Sequence, residues 1–311
     1  MHGRTRAAVS GPSRRLVLAA AVGTLVVGAG TGTGYELVSH EVLPGKSVLD
    51  RLDGACTVGS AGFSFVRPLG PSVSGSFRSS ARGRDVGYSI GYPPGHRPGE
   101  ELPLVVMLHG SGGSHLTALA GLTPSSAVAL RGSGGRALPP MALVTVDGGN
   151  GYWNPHPGDD PMGMLVNELI PLCQRLGLGR PPQKIGVMGI SMGGYGALLL
   201  GEKHPALVRA VAAISPAIWT SYDQARGANA GAYASAAAFA ANDVVTHARS
   251  LSGVQVRVAV GNGDPFYPGV RTLATALPRG AVVSFTKGCH DGPFFASEEL
   301  ASLEFLAQHL A

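Results

Sequence analysis

A serine between closely spaced glycines is the residue best placed for nucleophilic chemistry. Residues 189–193 form the pattern Gly-x-Ser-x-Gly around Ser191, between an apolar run and a segment with helical spacing. In a strand–turn–helix unit, such glycines let strand and helix approach closely while the serine stands on a sharp turn. The pattern therefore predicts a nucleophile at Ser191 rather than a glycine-rich structural turn.

A nucleophilic serine needs a base to accept its proton. Among ten histidines, His290 lies late in the chain and beside the last predicted strand. Asp264 ends another predicted strand, where a carboxylate can orient the imidazole and stabilise the imidazolium. The order Ser191, Asp264, His290 predicts a catalytic triad. The alternative acids are Asp223, Asp243 and Asp291.

The loop at residues 109–113, His-Gly-Ser-Gly-Gly, is suited to stabilise negative charge on a reacting oxygen. Backbone N–H groups that are preorganised around such an oxygen lower the barrier to acyl transfer. We expect one N–H from Ser111 and one from Met192, directly after the nucleophile. His109 is expected to brace the loop rather than act as a second base. The segment lacks Gly-x-Gly-x-x-Gly and Gly-Lys-Ser/Thr, which excludes a phosphate-binding loop.

These polar residues need a scaffold, and apolar runs supply it. Six runs suit strands that are buried on both faces of a parallel sheet, and two short strands precede them. The strands are predicted at residues 74–78, 86–92, 102–108, 141–146, 185–190, 208–214, 254–260 and 281–285. Helices are predicted at residues 162–176, 192–203, 270–277 and 298–310. This alternation predicts α/β architecture, with the candidate residues beyond the carboxyl ends of the strands.

One segment departs from the alternation of strand and helix. Residues 217–253 lie between two predicted core strands, and residues 227–242 are rich in Ala and Gly. Two interpretations stay open: a small helical cap over the site, or an Ala-rich helix on the surface.

The net charge of +5 belongs largely to the N-terminus. Four arginines and no acid occur in residues 1–30, so the remaining chain is nearly neutral. A near-neutral body argues against nucleic acid as a partner, and 44% apolar residues exclude a disordered chain. The length of 311 residues suits one large domain with an appendage, or two small domains.

The first residues have the layout of a targeting segment. Arg14 and Arg15 precede an uncharged run, and their pairing resembles a twin-arginine export signal. The alternative is a membrane anchor at residues 16–35, whose 20 uncharged residues are just long enough to span a bilayer. We therefore expect an export signal or anchor at residues 1–35, a linker or N-terminal decoration at 36–71 and the catalytic domain at 72–311.

The cysteines limit the cross-links and metal sites that this chain can form. Cys56, Cys173 and Cys289 allow one disulfide and leave one thiol. Their spacing favours no particular pair, and they are too few and too scattered for a zinc site. No metal site is expected.

Five motifs taken together resemble a known family. They are His109-Gly110-Ser111-Gly112-Gly113, Asp147-Gly148-Gly149, Gly189-Ile190-Ser191-Met192-Gly193-Gly194, Gly263-Asp264-Pro265-Phe266 and Gly288-Cys289-His290-Asp291. Over residues 72–310 the chain resembles the esterase family of α/β-hydrolases that holds S-formylglutathione hydrolase, feruloyl esterases and the antigen 85 mycolyltransferases. The resemblance implies an α/β-hydrolase fold, a mostly parallel central sheet with helices on both faces. Arginine outnumbers lysine 20 to 4, which fits a high-GC bacterium such as an actinomycete.

The resemblance also implies a function. An exported serine esterase would form an acyl-enzyme on Ser191 and hydrolyse a small-molecule or lipid ester, with no cofactor and with membrane or envelope association through its N-terminus. Tyr152 and Trp153 become candidates for lining the substrate cleft, because the loop after this strand does so in relatives. The alternatives are an acyltransferase acting on a sugar or lipid hydroxyl and a non-catalytic envelope binding protein, which an intact triad disfavours.

Overall fold

One sheet of eight strands organises residues 53–311, the part of the chain that the computed structural model describes. The predicted signal or anchor at residues 1–35 lies outside that part. The strands are β1 (Ser72–Ser79), β2 (Arg84–Gly91), β3 (Leu104–Leu108), β4 (Ala142–Val146), β5 (Ile185–Ile190), β6 (Val208–Ile214), β7 (Gln255–Gly261) and β8 (Val282–Thr286). Their order across the sheet is β1-β2-β4-β3-β5-β6-β7-β8.

The sheet is antiparallel at one end and parallel elsewhere. β1 pairs with β2 and β2 with β4 in the antiparallel direction, and the pairs from β4 to β8 are parallel. β3, β4 and β5 are buried along their whole length, as their continuous apolar runs predict. β1 and β8 are largely exposed edge strands. The mostly parallel sheet confirms the predicted α/β class.

Helices cover both faces of this sheet. They are α1 (Pro124–Ala127), α2 (Pro161–Met164), α3 (Ile170–Arg175), α4 (Met192–Lys203), α5 (Tyr222–Ala228), α6 (Ala236–Ala241), α7 (Tyr267–Ala276) and α8 (Gly292–Leu310). A π-helical turn at Leu165–Leu169 joins α2 to α3, where the sequence predicts one regular helix. Pro171 lacks the N–H that a regular helix would use there. Among residues 53–311, no helix has both the length and the apolar character needed to cross a membrane.

Two apolar cores lie on opposite faces of the sheet. Along β3, Val106 and Leu108 belong to the core shared with α2, α3, α4 and α7, while Val105 and Met107 belong to the core shared with α1 and α8. This alternation is the period of two expected of a strand. Burial on both faces holds the inner strands in place, and with them the residues that follow their carboxyl ends.

The compact unit begins at Cys56, before the predicted start of the catalytic domain. Residues 56–71, here called the N-terminal strap, pack against the α1–α8 core through Phe65. The Val66 N–H donates to the carbonyl oxygen of Ala129 at 2.8 Å. Part of the predicted linker is therefore a structured element, because its aromatic side chains bury apolar surface.

One disulfide joins the strap to the region near the other end of the chain. Cys56 is bonded to Cys289, and Cys173 is a buried free thiol. The sequence leaves this choice open because the pairing depends on a contact between residues 233 apart. Burial raises the pKa of Cys173 to about 12, so this cysteine stays a protonated thiol.

Residues 217–253 form α5 and α6 outside the sheet. α6 has no buried residue, so residues 236–241 match the Ala-rich surface helix of the two interpretations. Between α5 and α6, the carbonyl oxygen of Ala232 accepts from Asn154 Nδ2 at 2.9 Å. This bond attaches the segment to the loop after β4.

Glu202, near the end of α4, brings a carboxyl group into the protein interior. Neither of its oxygens has a hydrogen-bond partner among the described residues. Burial, and secondarily the nearby Asp243 carboxylate, raises its pKa to about 9. Glu202 is therefore protonated and neutral in the folded protein at neutral pH.

We expect Glu202→Gln to become more stable relative to the wild type as pH rises. The unfolded chain loses the Glu202 proton near the ordinary pKa of 4.5, whereas the folded protein keeps it up to about pH 9. Between these two pKa values the folded state holds one more proton than the unfolded chain. The wild-type free energy of unfolding therefore falls as pH rises through this range, by at most about 1.4 kcal/mol per pH unit. Glutamine has no such proton, so the free energy of unfolding of Glu202→Gln lacks this fall. Urea unfolding of both proteins between about pH 5 and about pH 8 measures it.

Glu101→Gln is the matched control, since the Glu101 carboxylate is exposed and pairs with Arg180 on the surface. It should leave the pH dependence of stability unchanged. An equal pH dependence in wild type and Glu202→Gln would show that the buried carboxyl is already charged in the folded protein.

Candidate active site

Ser191 stands on a strained turn between β5 and α4. Its φ of 57° and ψ of −120° lie outside the regions that side chains ordinarily adopt. A Cβ at Gly189 would collide with the backbone of Gly193, and a Cβ at Gly193 would collide with the carbonyl group of Leu108. The backbones of β3, β5 and α4 therefore meet too closely for any side chain, as the Gly-x-Ser-x-Gly pattern predicts.

Ser191, His290 and Asp264 form a continuous chain of hydrogen bonds. His290 Nε2 lies 2.8 Å from Ser191 Oγ, and His290 Nδ1 lies 2.8 Å from Asp264 Oδ2. The Asp264 side chain is fully buried, while that of His290 is 23% exposed. A buried carboxylate beside Nδ1 holds the proton there and leaves Nε2 free to accept the serine proton. The structure thus brings the three residues of the predicted triad together.

The three alternative acids lie in other surroundings. The Asp243 carboxylate accepts hydrogen bonds within its own turn. Asp291 caps α8 by accepting from the Phe294 N–H at 3.1 Å, and Asp223 lies exposed in the first turn of α5. Asp264 is accordingly the acid that the geometry pairs with His290.

Aromatic rings surround the imidazole of His290. Phe266 and Phe295 contact it at centroid distances of 5.1 and 5.0 Å. The Phe266 N–H also donates to Asp264 Oδ1 at 2.8 Å, so one residue packs against the imidazole and holds the carboxylate. The segment after β7 and the first turn of α8 therefore orient both partners of Ser191.

His109 braces the loop at residues 109–113. The Gly148 N–H donates to His109 Nε2 at 2.9 Å, so the ring proton is on Nδ1, which donates to the Gly110 carbonyl oxygen at 2.7 Å. Burial lowers the pKa of His109 and favours the neutral ring. Both ring nitrogens are occupied, and His109 holds the loop rather than serving as a base.

Two backbone N–H groups near Ser191 are available as donors. Within the described part of the chain, neither the Ser111 N–H nor the Met192 N–H donates a hydrogen bond. The neighbouring Gly112 N–H is bonded to Asn150 Oδ1 at 2.7 Å, which holds the loop in place. The two predicted oxyanion donors are therefore unoccupied by protein acceptors, as such a site requires.

Ser191 and His290 open into a cleft of about 480 Å³. Its walls come from residues 117–120, Ile190 and Phe295 and are mainly apolar. Among the described residues that line it, none is Asp, Glu, Lys or Arg. Across residues 53–311, no group of three or more His, Cys, Asp or Glu is arranged to hold a metal ion. The cleft is suited to a small uncharged group next to Ser191.

The structure places Tyr152 and Trp153 in the interior rather than on this cleft, contrary to the sequence-based expectation. Trp153 has no exposed surface, and its Nε1–H donates to the His109 carbonyl oxygen at 3.3 Å. Tyr152 is 4% exposed, and its hydroxyl accepts from Trp219 Nε1 at 2.9 Å. The loop after β4 turns inward because its two aromatic side chains bury large apolar surfaces. Trp153 therefore supports the loop at residues 109–113 from inside, while Tyr152 packs against Tyr195 and Tyr233.

The segment at residues 217–253 does not cover the cleft, since none of its residues lines it. Tyr233 packs against Tyr152 and Tyr195 at 5.7 and 6.1 Å, which draws the segment toward the loop after β4 and α4. Trp219 contacts Phe266 at 4.8 Å. The segment thus supports the aromatic surroundings of His290 from the side instead of forming a cap.

Glu299 in α8 is a site residue that sequence reasoning misses. It has no exposed surface, and its Oε1 accepts from the Ala120 N–H at 2.5 Å. Ala120 belongs to the cleft wall, so α8 holds this wall through a carboxyl group. Burial raises the pKa of Glu299 to about 7. No local pattern marks this glutamate, because its partner lies 179 residues away.

The fold and the hydrogen-bonded serine, histidine and aspartate define an α/β-hydrolase. The family model described as Putative esterase matches residues 79–278, more than half of the chain. The chain belongs to this esterase family and is a serine hydrolase of carboxylic esters. No curated protein matches the chain significantly.

Solved structures share this fold at low sequence identity. A ferulic acid esterase has a TM-score of 0.61 and 18% identity, covering 77% of this chain and 98% of its own. The S-formylglutathione hydrolase of Agrobacterium tumefaciens has a TM-score of 0.61 and 17% identity, covering 82% and 100%. Mycobacterium tuberculosis MPT51 has a TM-score of 0.57 and 17% identity, covering 81% and 100%. These likenesses confirm the α/β-hydrolase fold that the motifs predict.

Replacing Glu299 should loosen the cleft wall. Glu299→Leu leaves the Ala120 N–H without its acceptor, which costs about 1–3 kcal/mol of stability. We expect a lower free energy of unfolding in urea and a KM for a short-chain p-nitrophenyl ester raised by roughly threefold or more.

Glu299→Gln is the matched control because its side-chain oxygen can still accept from Ala120. It should keep the wild-type KM. A wild-type KM in Glu299→Leu would show that residues 117–120 hold their position without this bond.

Proposed function

We propose that the protein hydrolyses a small carboxylic ester through an acyl-enzyme on Ser191. The observation that carries the proposal is the hydrogen-bond chain from Ser191 through His290 to Asp264, with both distances at 2.8 Å. A serine becomes nucleophilic where a base accepts its proton, and His290 is in place to do so. Membership of an esterase family supports an ester as the substrate.

In the first half of the reaction, Ser191 Oγ attacks the ester carbonyl carbon while His290 Nε2 accepts the hydroxyl proton. The Asp264 carboxylate accepts from Nδ1–H and stabilises the imidazolium. Negative charge develops on the carbonyl oxygen, which the N–H groups of Ser111 and Met192 stabilise. His290 then donates its proton to the departing alkoxide as the ester C–O bond breaks, and the alcohol leaves.

In the second half, water takes the place of the alcohol. His290 accepts a proton from the water as its oxygen attacks the acyl carbon. The proton returns to Ser191 Oγ when the acid leaves. One imidazole therefore acts as base and acid in turn, and the chemistry draws on no metal or organic cofactor.

The cleft supports a small and uncharged acyl group. Its volume of about 480 Å³ lies within the range of about 300–1,000 Å³ that small-molecule sites have. Leu119, Ile190 and Phe295 offer apolar contacts, and the lining residues that the structure describes include no carboxylate, ammonium or guanidinium to pair with a charged acyl group. A short aliphatic or aromatic ester therefore suits this cleft better than a long lipid.

Substituting the triad residues should abolish turnover in a folded protein. Ser191→Ala and His290→Ala are expected to lower kcat for p-nitrophenyl acetate by at least about 10⁴-fold. Asp264→Asn should cost about 10⁴-fold, because the imidazole loses the carboxylate that holds its tautomer. A fluorophosphonate probe should label the wild type at Ser191, as peptide mass spectrometry would show.

Asp243→Asn is the matched control, since Asp243 is an alternative acid whose carboxylate accepts hydrogen bonds within its own turn, and it should keep the wild-type kcat. Turnover at the wild-type rate in Ser191→Ala would refute the acyl-enzyme on this residue.

Assays with glycerol or trehalose test the alternative acceptor. Acylated glycerol or trehalose in excess of free acid would make acyl transfer, rather than hydrolysis, the main reaction.

We also propose that the chain is exported to the envelope or the medium through its N-terminal residues. The pair Arg14 and Arg15 before an uncharged run supports a twin-arginine route. The bridge between Cys56 and Cys289 supports an oxidising destination, because disulfides persist mainly outside the reducing cytosol.

Replacing both Arg14 and Arg15 by Lys should stop export by the twin-arginine route. Immunoblots of cytosol, membrane and medium from a bacterium with that translocase would measure the result. We expect the wild type outside the cytosol and the double variant inside it. Arg4→Lys with Arg6→Lys is the matched control and should be exported. Equal export of the wild type and of the Arg14 and Arg15 double variant would refute the twin-arginine route. Full-length wild type held in the membrane would favour an anchor at residues 16–35.

A further inference from the structure

His290 is the triad residue with the least support from the sheet. Ser191 and Asp264 follow β5 and β7, which are buried and have neighbours on both sides. His290 follows β8, an edge strand that, within residues 53–311, pairs only with β7 and in which no residue is buried. The histidine therefore depends on other contacts to stay within hydrogen-bond distance of Ser191.

The residue directly before His290 supplies one such contact. Cys289 is 7% exposed and is covalently bonded to Cys56. The bridge ties the loop between β8 and α8 to the first residue of the N-terminal strap. Because Cys289 and His290 share a peptide bond, this loop can shift only if the strap shifts with it.

The strap is itself fixed to the protein body. Phe65 packs against the α1–α8 core, and the Arg131 N–H donates to the Ser64 carbonyl oxygen at 2.8 Å. A bridge to this strap therefore holds the histidine loop against the core rather than against a loose terminus.

Other hydrogen bonds keep the loop folded but do not restrain His290 as the disulfide does. The Gly263 N–H donates to the Gly288 carbonyl oxygen at 2.9 Å, and Asp291 caps α8. These contacts do not involve the sulfur atoms and remain when the bridge opens. We expect the loop to stay folded in that case while His290 gains freedom to move.

Resting on the acyl-enzyme mechanism, we propose that the Cys56–Cys289 bridge positions His290 and makes turnover depend on oxidation. A dithiol reductant transfers two electrons and two protons to the bridge, which becomes two thiols while the reductant becomes a cyclic disulfide. With the bridge open, proton transfer through His290 slows, since a displacement of about 1 Å at a catalytic group costs on the order of 10²-fold in rate. The apolar cleft walls do not involve the bridge, so KM is retained.

The test compares Cys56→Ser with wild type, each with and without dithiothreitol. Cys56→Ser removes the bridge and leaves the residue beside His290 unchanged. We expect kcat to fall by about tenfold or more, with KM within about twofold, at a temperature where circular dichroism shows both proteins folded. Reduced wild type should match Cys56→Ser, reoxidation should restore its kcat, and the variant should not respond to the reductant.

Cys173→Ala is the matched control, because it removes the free thiol and keeps the bridge. Its kcat and its response to dithiothreitol should equal those of the wild type. A wild-type kcat in folded Cys56→Ser would overturn the proposal. If Cys56→Ser does not fold, reduction of the wild type decides: loss of activity only in step with the circular dichroism signal would assign the bridge to folding alone.

The outcome is separable from that of the acyl-enzyme mechanism. Turnover retained by Ser191→Ala would refute the mechanism whatever the bridge does. An inactive Ser191→Ala together with a fully active Cys56→Ser would refute only the positioning role of the bridge.

Discussion

The close approach of three backbones around Ser191 is the constraint on which the rest of the site depends. β3, β5 and α4 meet where Gly189 and Gly193 stand, and a side chain at either position would collide with backbone atoms. This contact sets Ser191 beside the loop at residues 109–113, which continues from β3. Ser191 keeps an unfavourable φ because the strand before it and the helix after it are both buried and cannot relax.

Local patterns predict the scaffold and the triad because both follow short-range rules. An apolar run that ends in Gly-x-Ser-x-Gly specifies the strand, turn and helix around Ser191. β5, β7 and β8 run parallel, so the residues after them, including Asp264 and His290, meet at one edge of the sheet. The strand positions that the sequence predicts are therefore enough to place Ser191, Asp264 and His290 at the same edge of the sheet.

Contacts between distant segments cannot be predicted from such rules. Glu299 meets the Ala120 N–H only because α8 packs beside the cleft wall. Trp153 lies in the loop after a strand, where an aromatic ring can line a cleft or fill a core. It is buried in a space that other segments create, so the local sequence does not decide between the two. The bridge from Cys56 is of the same kind, since nothing in the sequence around the three cysteines indicates which two of them pair.

The buried ring of Trp153 also limits which substitutions this sequence can accept during evolution. A Cβ at Gly148 or at Gly196 would occupy the space that the indole fills. A larger residue at either glycine is tolerable only once the tryptophan has become smaller, while a smaller ring arising first leaves a cavity that destabilises the core. Substitutions at these three positions are therefore epistatic, and the order in which they arise decides which of them survive.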